Sequence, residues 1–272
     1  MVNLKEINKK ERTIDLIEDL TLTQELRPYL GVSQLGHSCP RFLWYSFRWC
    51  YLETFSARLG RLFSRGHREE DTITEILQKI GYIVYGQQRE CVFLYGHGQG
   101  HIDGLVRNVI EAPKTPHLLE VKTMNDKNFK ELCKNGVRVF KPIYFSQCQL
   151  YMNFFKLQRT LFVAINKNDD SIYIERIRFE KHVSEKLLKR AQEVILSEKP
   201  PLRPFNSTWY ECRWCSANHI CHKNHEIERN CRTCSSIDML NDGIWECSKY
   251  EIELTTSQQR LGCKNYQRIT WK

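Results

Sequence analysis

The chain has 272 residues, a formal net charge of +9 and 41% hydrophobic residues. This length suffices for one sizeable catalytic core and a small appended module. No run of about 18 apolar residues is present, so no membrane-spanning helix is expected. The charged residues 1–30 lack the apolar segment of a signal peptide, so we expect an intracellular protein. The positive charge favours a polyanionic partner such as nucleic acid, although a merely soluble basic surface has the same composition.

The spacing of apolar residues predicts an α/β core. A helix is predicted over residues 3–30 and a second over residues 58–80, which Gly81 ends. The remaining elements predicted in chain order are extended segments at 82–84 and 90–95, a turn at Gly96, Gly98 and Gly100, strands at 101–110 and 118–123, helices near 125–134 and 143–156, a hairpin of strands 160–166 and 171–179, and a helix at 181–198.

Residues 209–272 are dense in cysteine and histidine. This tail is too short for an ordinary apolar core, so we expect bound metal to supply its folding energy. Twelve cysteines in an intracellular chain need an explanation other than disulfides, and eight of them fall into two groups with metal-ligand spacing. The other four are predicted to be small buried hydrophobic residues: Cys50, Cys91, Cys133 and Cys148.

Acidic residues on two consecutive predicted strands indicate a metal site. Glu120 and Lys122 are two residues apart, so both point to one face, and antiparallel pairing could bring Asp103 alongside Glu120. Two carboxylates ~4 Å apart repel by about 4 kcal/mol at an effective dielectric near 20, and a divalent cation reverses that cost. Hard oxygen ligands suit magnesium or manganese, which polarises a phosphodiester and lowers the pKa of a bound water. Lys122 can orient the attacking hydroxide or offset charge on the phosphate.

Each of these residues alone has an ordinary interpretation, since Glu-x-Lys is common on solvated strands. Their order, however, resembles the RecB-like branch of the PD-(D/E)XK nucleases, which has Asp, a variable gap and then Glu-x-Lys. That branch also has a histidine on an upstream helix, matched by His67 within Arg65–Glu70. It further has Gln-x-x-x-Tyr on the helix after the core strands, matched by Gln147 and Tyr151, whose spacing puts both on one helix face.

The resemblance implies a PD-(D/E)XK restriction-endonuclease-like core, with a mixed central sheet flanked by helices and a small cysteine-rich module at its C-terminal end. It assigns Asp103, Glu120, Lys122, Gln147 and Tyr151 to catalysis. The metal would be held by His67, Asp103, Glu120 and the backbone carbonyl of Val121. Gln147 and Tyr151 would position DNA and the scissile phosphate.

The first cysteine group is Cys212, Cys215 and Cys221, one ligand short of a tetrahedral site. A nearby histidine (His219, His222 or His225) would complete a zinc knuckle. Iron–sulfur members of the branch, among them the CRISPR adaptation exonuclease and AddB-type nuclease domains, instead place one cysteine upstream of the core. By that resemblance Cys39 is the fourth ligand of a 4Fe–4S cluster. Such a clasp closes a loop of roughly 170 residues, worth ~5 kcal/mol in the simplest entropy model.

The second group, Cys231, Cys234, Cys247 and Cys263, is a complete set of four thiols, which favours zinc. Trp245 and Leu261 flank these thiols and could cover the metal. Similar tails occur on phage-encoded nucleases of the branch, so the resemblance suggests a phage protein acting in the host cytoplasm. The tail is either a binding module or a purely structural element, and both interpretations stay open here.

Arginines alternate with aromatic residues between Cys39 and His67, a combination that suits single-stranded nucleic acid. The DNA-binding candidates are Arg41, Arg61 and Arg65, together with Gln147 and Tyr151. Many of the aromatic residues are expected to be core, so none is assigned a stacking role. A phosphate-binding Gly-x4-Gly-Lys-Ser/Thr loop is absent, so ATP hydrolysis is not expected.

These features divide the chain into a helical segment with the first cluster cysteine (1–58), the nuclease core (59–208), a cluster-closing segment (209–228) and a zinc-ribbon-like tail (229–272). The predicted function is metal-dependent hydrolysis of DNA from its ends, with single strands and 5′-to-3′ polarity favoured, in phage replication or recombination or in host DNA degradation. The alternatives are a non-catalytic, metal-stabilised DNA-binding or adaptor protein, and a CRISPR adaptation nuclease.

Overall fold

The computed structural model describes residues 12–19, 27–52 and 55–271. Its helices are α1 (Thr13–Glu18), α2 (Pro40–Phe47), α3 (Ala57–Lys79), α4 (Asp126–Phe140), α5 (Pro142–Phe154), α6 (Lys181–Leu196), α7 (Tyr210–Arg213), α8 (Asn218–Lys223) and α9 (Thr256–Leu261). Its strands are β1 (Leu30–Gly31), β2 (Ile83–Tyr85), β3 (Glu90–Phe93), β4 (Gly98–His101), β5 (Gly104–Arg107), β6 (His117–Met124), β7 (Arg159–Asn166), β8 (Ile172–Arg178), β9 (Ile237–Met239), β10 (Trp245–Cys247) and β11 (Ile252–Glu253).

The long helix α3 follows the sequence signals closely. Ser56 caps its first turn by accepting a hydrogen bond from the Leu59 amide, and the helix ends just before Gly81, whose φ is +90°. Of the leading helix predicted over residues 3–30, α1 is described, while residues 3–11 and 20–26 lie outside the described part of the chain. No helix in the described ranges is long and apolar enough to cross a membrane.

Five strands form the central sheet, in the order β2-β5-β6-β7-β8. β6 and β7 are parallel, whereas the other neighbours are antiparallel. The parallel pair is joined through α4 and α5, as a parallel connection requires. One face packs against α3, and the other face contributes Leu118 and Phe162 to the core that includes α5 and α6. The predicted mixed sheet flanked by helices is therefore confirmed.

The strand predicted over residues 101–110 is in fact two strands in different sheets. β4 ends at His101 and lies between β1 and β3, whereas β5 starts at Gly104 in the central sheet. Gly98 and Gly100 belong to β4 rather than to the predicted turn. Close packing favours glycine at position 100, because a Cβ there would lie 2.7 Å from Val32 and 2.9 Å from Tyr151. The change of sheet places Asp103 on a connection and not within a strand.

The tail forms its own sheet, β9-β10-β11, and packs on α2. Arg232 is fully buried and donates hydrogen bonds to Phe47 O at 3.0 Å, Pro28 O at 2.9 Å and Gln259 Oε1 at 2.8 Å. Its guanidinium lies 3.7 Å from the Trp49 ring centroid and 4.4 Å from that of Trp245. We call this group of contacts, made by Arg232 with Pro28, Phe47, Trp49, Trp245 and Gln259, the tail joint. The tail therefore shares an apolar core with the rest of the protein.

One prediction of burial is wrong. Cys133 is exposed, while Cys50, Cys91 and Cys148 are buried as expected. Leu261 is the last residue of α9 and is 79% exposed. Trp245 is fully buried, but it packs against Phe47 in the tail joint, with ring centroids 5.3 Å apart.

Candidate active site

Asp103 and Glu120 are brought together by the pairing of β5 with β6. Gly104 is the partner of Leu119, so the preceding residue, Asp103, arrives beside Glu120. Asp103 Oδ2 accepts a hydrogen bond of 2.7 Å from the Val121 amide, which fixes the carboxylate across the strand. The predicted approach of these two acidic residues is confirmed, although Asp103 reaches it from a connection.

The ammonium of Lys122 lies among three oxygen atoms. It forms an ion pair with Glu120 Oε1, lies 3.9 Å from Asp103 Oδ2 and donates a hydrogen bond of 3.1 Å to the Val121 carbonyl. The Tyr144 ring centroid is 5.6 Å from the same nitrogen. We call this arrangement the carboxylate site. It is a position for a cation, surrounded by two carboxylates and a backbone carbonyl.

The charges in the carboxylate site are not balanced. Glu120 is fully buried, and burial, with a further contribution from Asp103, raises its pKa to about 8 against the opposing effect of Lys122. Burial lowers the pKa of Lys122, but the combined attraction of Glu120 and Asp103 outweighs it, so the net shift is upward. No hydrogen bond reaches Glu120 Oε2 from any described residue. The site therefore places two carboxyl groups around one ammonium, with one oxygen of Glu120 left without a hydrogen bond from the described residues.

Glu70, on α3, is a third acidic residue near the carboxylate site, and sequence reasoning gave it no role. Burial and the Asp103 carboxylate raise its pKa, and Lys122 lowers it, which places Glu70 within electrostatic reach of both. Its position three residues after His67, on the same helix face, is the signal that could have identified it.

His67 borders this region but does not join the two carboxylates. Its side chain is 75% exposed, and Nδ1 lies 3.7 Å from Glu70 Oε2. Among the described residues, no three histidine, cysteine, aspartate or glutamate side chains are close enough together to hold a metal ion. The metal-ligand role of His67 stays a prediction, and the structure gives Glu70 as its contact.

Gln147 and Tyr151 lie on the buried side of α5. Tyr151 is 3% exposed, and its hydroxyl donates a 2.7 Å hydrogen bond to the carbonyl of His101, two residues before Asp103. In this structure Tyr151 supports the connection that carries Asp103. The predicted contact of these two side chains with DNA is not tested by the structure.

The arginines predicted to bind DNA have different surroundings. Arg41 is 9% exposed and donates to Pro201 O at 2.8 Å and Tyr45 Oη at 2.9 Å, and its predicted contact with DNA is not tested by the structure. It is buried because the carbonyls of the segment after α6 replace water around the guanidinium. Arg61 pairs with Glu18 at 2.6 Å, and Arg65 donates to Lys167 O at 3.1 Å while remaining partly exposed.

The first cysteine set comes together around one cavity. Cys39, Cys212, Cys215 and Cys221 all line it, and so does His222. Burial raises the pKa of Cys215, as do the other three thiols. Cys39, which precedes α2, thus lies with three cysteines more than 170 positions further along the chain. The four cysteines therefore lie near one another, but no three of them are close enough together in the described structure to hold a metal ion.

The second cysteine set is also grouped in space. Burial, together with smaller contributions from Cys263, Cys234 and Cys247, raises the pKa of Cys231 to about 11. Cys231 and Cys234 flank Arg232, so this group lies directly beside the tail joint. As for the first set, no three of these thiols converge to ligand distances.

Neither a protein-family model nor a curated protein matches the chain. Among solved structures, it is similar to the alkaline exonuclease LHK-Exo from Laribacter hongkongensis, with 19% identity, a TM-score of 0.47, and coverage of 62% of this chain and 86% of that chain. The complex of LHK-Exo with dAMP gives 18% identity, a TM-score of 0.45 and the same coverage. SSO0001 gives 18% identity and a TM-score of 0.45 over 74% of this chain and 89% of that chain. Likeness at this level does not identify an activity.

Proposed function

We propose that this protein is a divalent-metal-dependent DNA nuclease of the RecB-like PD-(D/E)XK type. The observation that carries the proposal is the carboxylate site, where Glu120, Asp103 and the Val121 carbonyl surround a single cation position. These oxygens are hard ligands, which suit Mg²⁺ or Mn²⁺. In the structure the Lys122 ammonium stands in for such a cation.

The residues of the site have distinct roles in the proposed reaction. Glu120, Asp103 and the Val121 carbonyl hold the metal, which when bound polarises the scissile phosphate and lowers the pKa of the attacking water. A cation entering there competes with the Lys122 ammonium, which can then donate to a phosphate oxygen as negative charge grows on it. Glu70 adds negative charge at the margin of the site, and Tyr151 keeps the Asp103 connection in place.

We further propose that the substrate is attacked from its ends, with single strands preferred and digestion running 5′-to-3′. The basic net charge of +9 supports a DNA partner. A role in phage DNA replication, recombination or host DNA degradation belongs to the same proposal.

Both cysteine sets are proposed metal centres. Cys39, Cys212, Cys215 and Cys221 would hold a 4Fe–4S cluster, and Cys231, Cys234, Cys247 and Cys263 would hold zinc. The grouping of each set supports this, because four cysteine side chains near one another provide the ligand set that a cluster or a zinc ion needs. A visible absorption band near ~400 nm with iron at about four and zinc at about one per chain is the expected result. Zinc near two without iron would replace the cluster by a second zinc site.

The nuclease proposal is tested by incubating the full chain with end-labelled single-stranded and duplex DNA, with and without Mn²⁺ or Mg²⁺. We expect metal-dependent release of nucleotides, and a loss of at least about a hundredfold in Asp103→Asn, Glu120→Gln and Lys122→Met. Glu253→Gln, an exposed carboxylate on β11, is the matched control and should keep full activity. DNA binding without any cleavage under these conditions would instead support the non-catalytic adaptor.

A further inference from the structure

An unusually exposed group of aromatic side chains lies between α6 and α8. Trp214 is 89% exposed, Tyr210 61% and Trp209 42%. Trp209 stacks on Phe205, with ring centroids 5.2 Å apart and planes at 13°, and its centroid is 5.0 Å from that of Tyr210. We call Phe205, Trp209, Tyr210 and Trp214 the stacking surface. A cluster of large, solvent-exposed aromatic side chains indicates an interaction site rather than an ordinary solvated loop.

Hydrogen bonds hold this surface in a defined conformation. Asn206 Oδ1 accepts from the amides of Thr208 and Trp209, both at 3.1 Å, which shapes the turn into α7. Glu211 accepts from Ser38 Oγ at 2.5 Å, and Asn218 Nδ2 donates to Cys212 O at 2.7 Å. The rings are therefore presented by an ordered segment, which lowers the entropic cost of binding.

Exposed cationic side chains lie in the same segment as the stacking surface. Residues 198–226 contain four lysines and arginines and three carboxylates, of which Glu198 and Glu226 lie at the two ends of the segment and Glu211 is bonded to Ser38 and Tyr210. The four cationic side chains are Lys199, Arg203, Arg213 and Lys223, all exposed. Within the described residues none of the four forms an ion pair. Unpaired cations beside exposed rings complement a ligand that has both phosphates and accessible base faces.

A short chain of contacts links the stacking surface to the carboxylate site. Ser38 bonds Glu211, and two residues earlier Gly36 packs so tightly that a Cβ would lie 2.8 Å from both Ile143 Cα and Ser146 Cβ on α5. Tyr144, between those two residues, is the residue whose ring faces the Lys122 ammonium. The loop at 36–38 therefore lies between the two regions.

We infer that the stacking surface binds single-stranded DNA, with bases stacked on Trp214, Tyr210 and Trp209 and the backbone followed by Arg203 and Arg213. The inference rests on the proposed function in one respect: it assigns a binding surface to the single-stranded substrate of the same nuclease. Stacking on rings does not depend on base identity, so binding is independent of sequence. Duplex DNA hides its base faces and binds there only through its phosphates.

The test is fluorescence anisotropy of a labelled single-stranded oligonucleotide with the full chain, in the absence of added divalent metal. We expect Trp209→Ala, Tyr210→Ala and Trp214→Ala each to weaken single-strand binding by about tenfold. Trp214→Phe should retain most of the affinity, because it keeps a ring. Tyr95→Ala is the matched control, since Tyr95 is 63% exposed and lies elsewhere on the protein. Duplex binding should change much less than single-strand binding.

Trp214 lies between two proposed cluster cysteines, so circular dichroism and the metal content of each variant are measured alongside. Tyr210→Ala, outside that pair, keeps the test decisive if Trp214→Ala does not fold. Parent-like single-strand affinity in Trp209→Ala and Tyr210→Ala overturns the inference. A change in light-scattering mass with unchanged oligonucleotide affinity also overturns it, in favour of contact between two copies of the chain. Ring-dependent binding without metal-dependent cleavage would contradict the proposed function and leave this inference standing.

Discussion

The carboxylate site and the tail joint both bury ionised side chains, and they differ in how the charge is balanced. In the tail joint, Arg232 has three oxygen acceptors and three aromatic rings around it, none of them a carboxylate. Burial lowers the pKa of Arg232, as does the neighbouring Arg48, yet each of its three guanidinium nitrogens donates one hydrogen bond to a neutral oxygen. In the carboxylate site, two carboxylates share one ammonium, and one oxygen of Glu120 has no hydrogen bond from the described residues.

The difference distinguishes a buried charge that stabilises the fold from buried charges that are expected to bind a cation. A buried ion that is compensated by neutral hydrogen-bond acceptors and aromatic rings does not require a bound ligand. Its removal leaves only hydrogen-bond acceptors without a donor. A buried group of carboxylates with too few counter-ions has an electrostatic cost that a bound cation relieves. The tail joint is therefore expected to govern stability, and the carboxylate site to govern metal binding and catalysis.

The largest effect is expected for Arg232→Met. The substitution leaves the buried carbonyl of Phe47 and the partly buried carbonyl of Pro28 without this donor and removes the packing on Trp49 and Trp245, so the free energy of unfolding should fall by about 3 kcal/mol. Urea unfolding of the full chain measures this, with the exposed Arg260→Met as control. A stability equal to that of the parent would show that the tail is an independent module.

In contrast to the tail joint, the carboxylate site should determine how much a bound metal stabilises the protein. Mn²⁺ at about a hundred times its Kd should stabilise the parent by about 2.7 kcal/mol. Glu120→Gln should fold, since it removes one of two like charges around Lys122, and should lose this stabilisation. Thermal melts of both proteins with and without Mn²⁺ provide the measurement. An equal gain in both proteins would place the bound metal elsewhere.

Glu70→Gln is expected to have a smaller effect on the same site. Glu70 interacts electrostatically with Asp103, so its neutral replacement should weaken Mn²⁺ binding by roughly three- to tenfold. Glu75→Gln, on the same helix but 68% exposed, should leave the affinity unchanged. Calorimetric titration of the two variants compares them directly. Equal affinities would remove Glu70 from the site.

Tyr151→Phe should have the smallest effect. It removes the hydrogen bond to His101 O and leaves one buried carbonyl without that donor, at a cost of about 1–2 kcal/mol in stability. If Tyr151 acts only by supporting the Asp103 connection, cleavage should fall by less than about tenfold at saturating DNA. A loss as large as that of Glu120→Gln would instead give Tyr151 a direct role in catalysis.

Sequence patterns predicted the parts of the molecule that depend on local spacing. The i and i+2 positions of Glu120 and Lys122 already placed both on one strand face, and the apolar spacing with the terminal Gly81 gave the two ends of α3 within about two residues. The strand predicted at 101–110 was wrong because alternation cannot reveal that a chain changes sheet. Glu70 was missed because its neighbours in space, Asp103 and Lys122, come from the connection before β5 and from β6.

The sequence alone determined which chemical groups are present and how they repeat: acids and a lysine on adjacent strands, two sets of four cysteines, and helices with clear ends. Only the tertiary structure decided which charged and aromatic residues face water. The Phe47–Trp49 stretch is buried because Trp245 and Arg232, some two hundred positions later, pack on it, whereas the rings of Trp209, Tyr210 and Trp214 stay exposed. Periodicity indicates which side of an element is apolar, but the segment that covers that side comes from elsewhere in the chain.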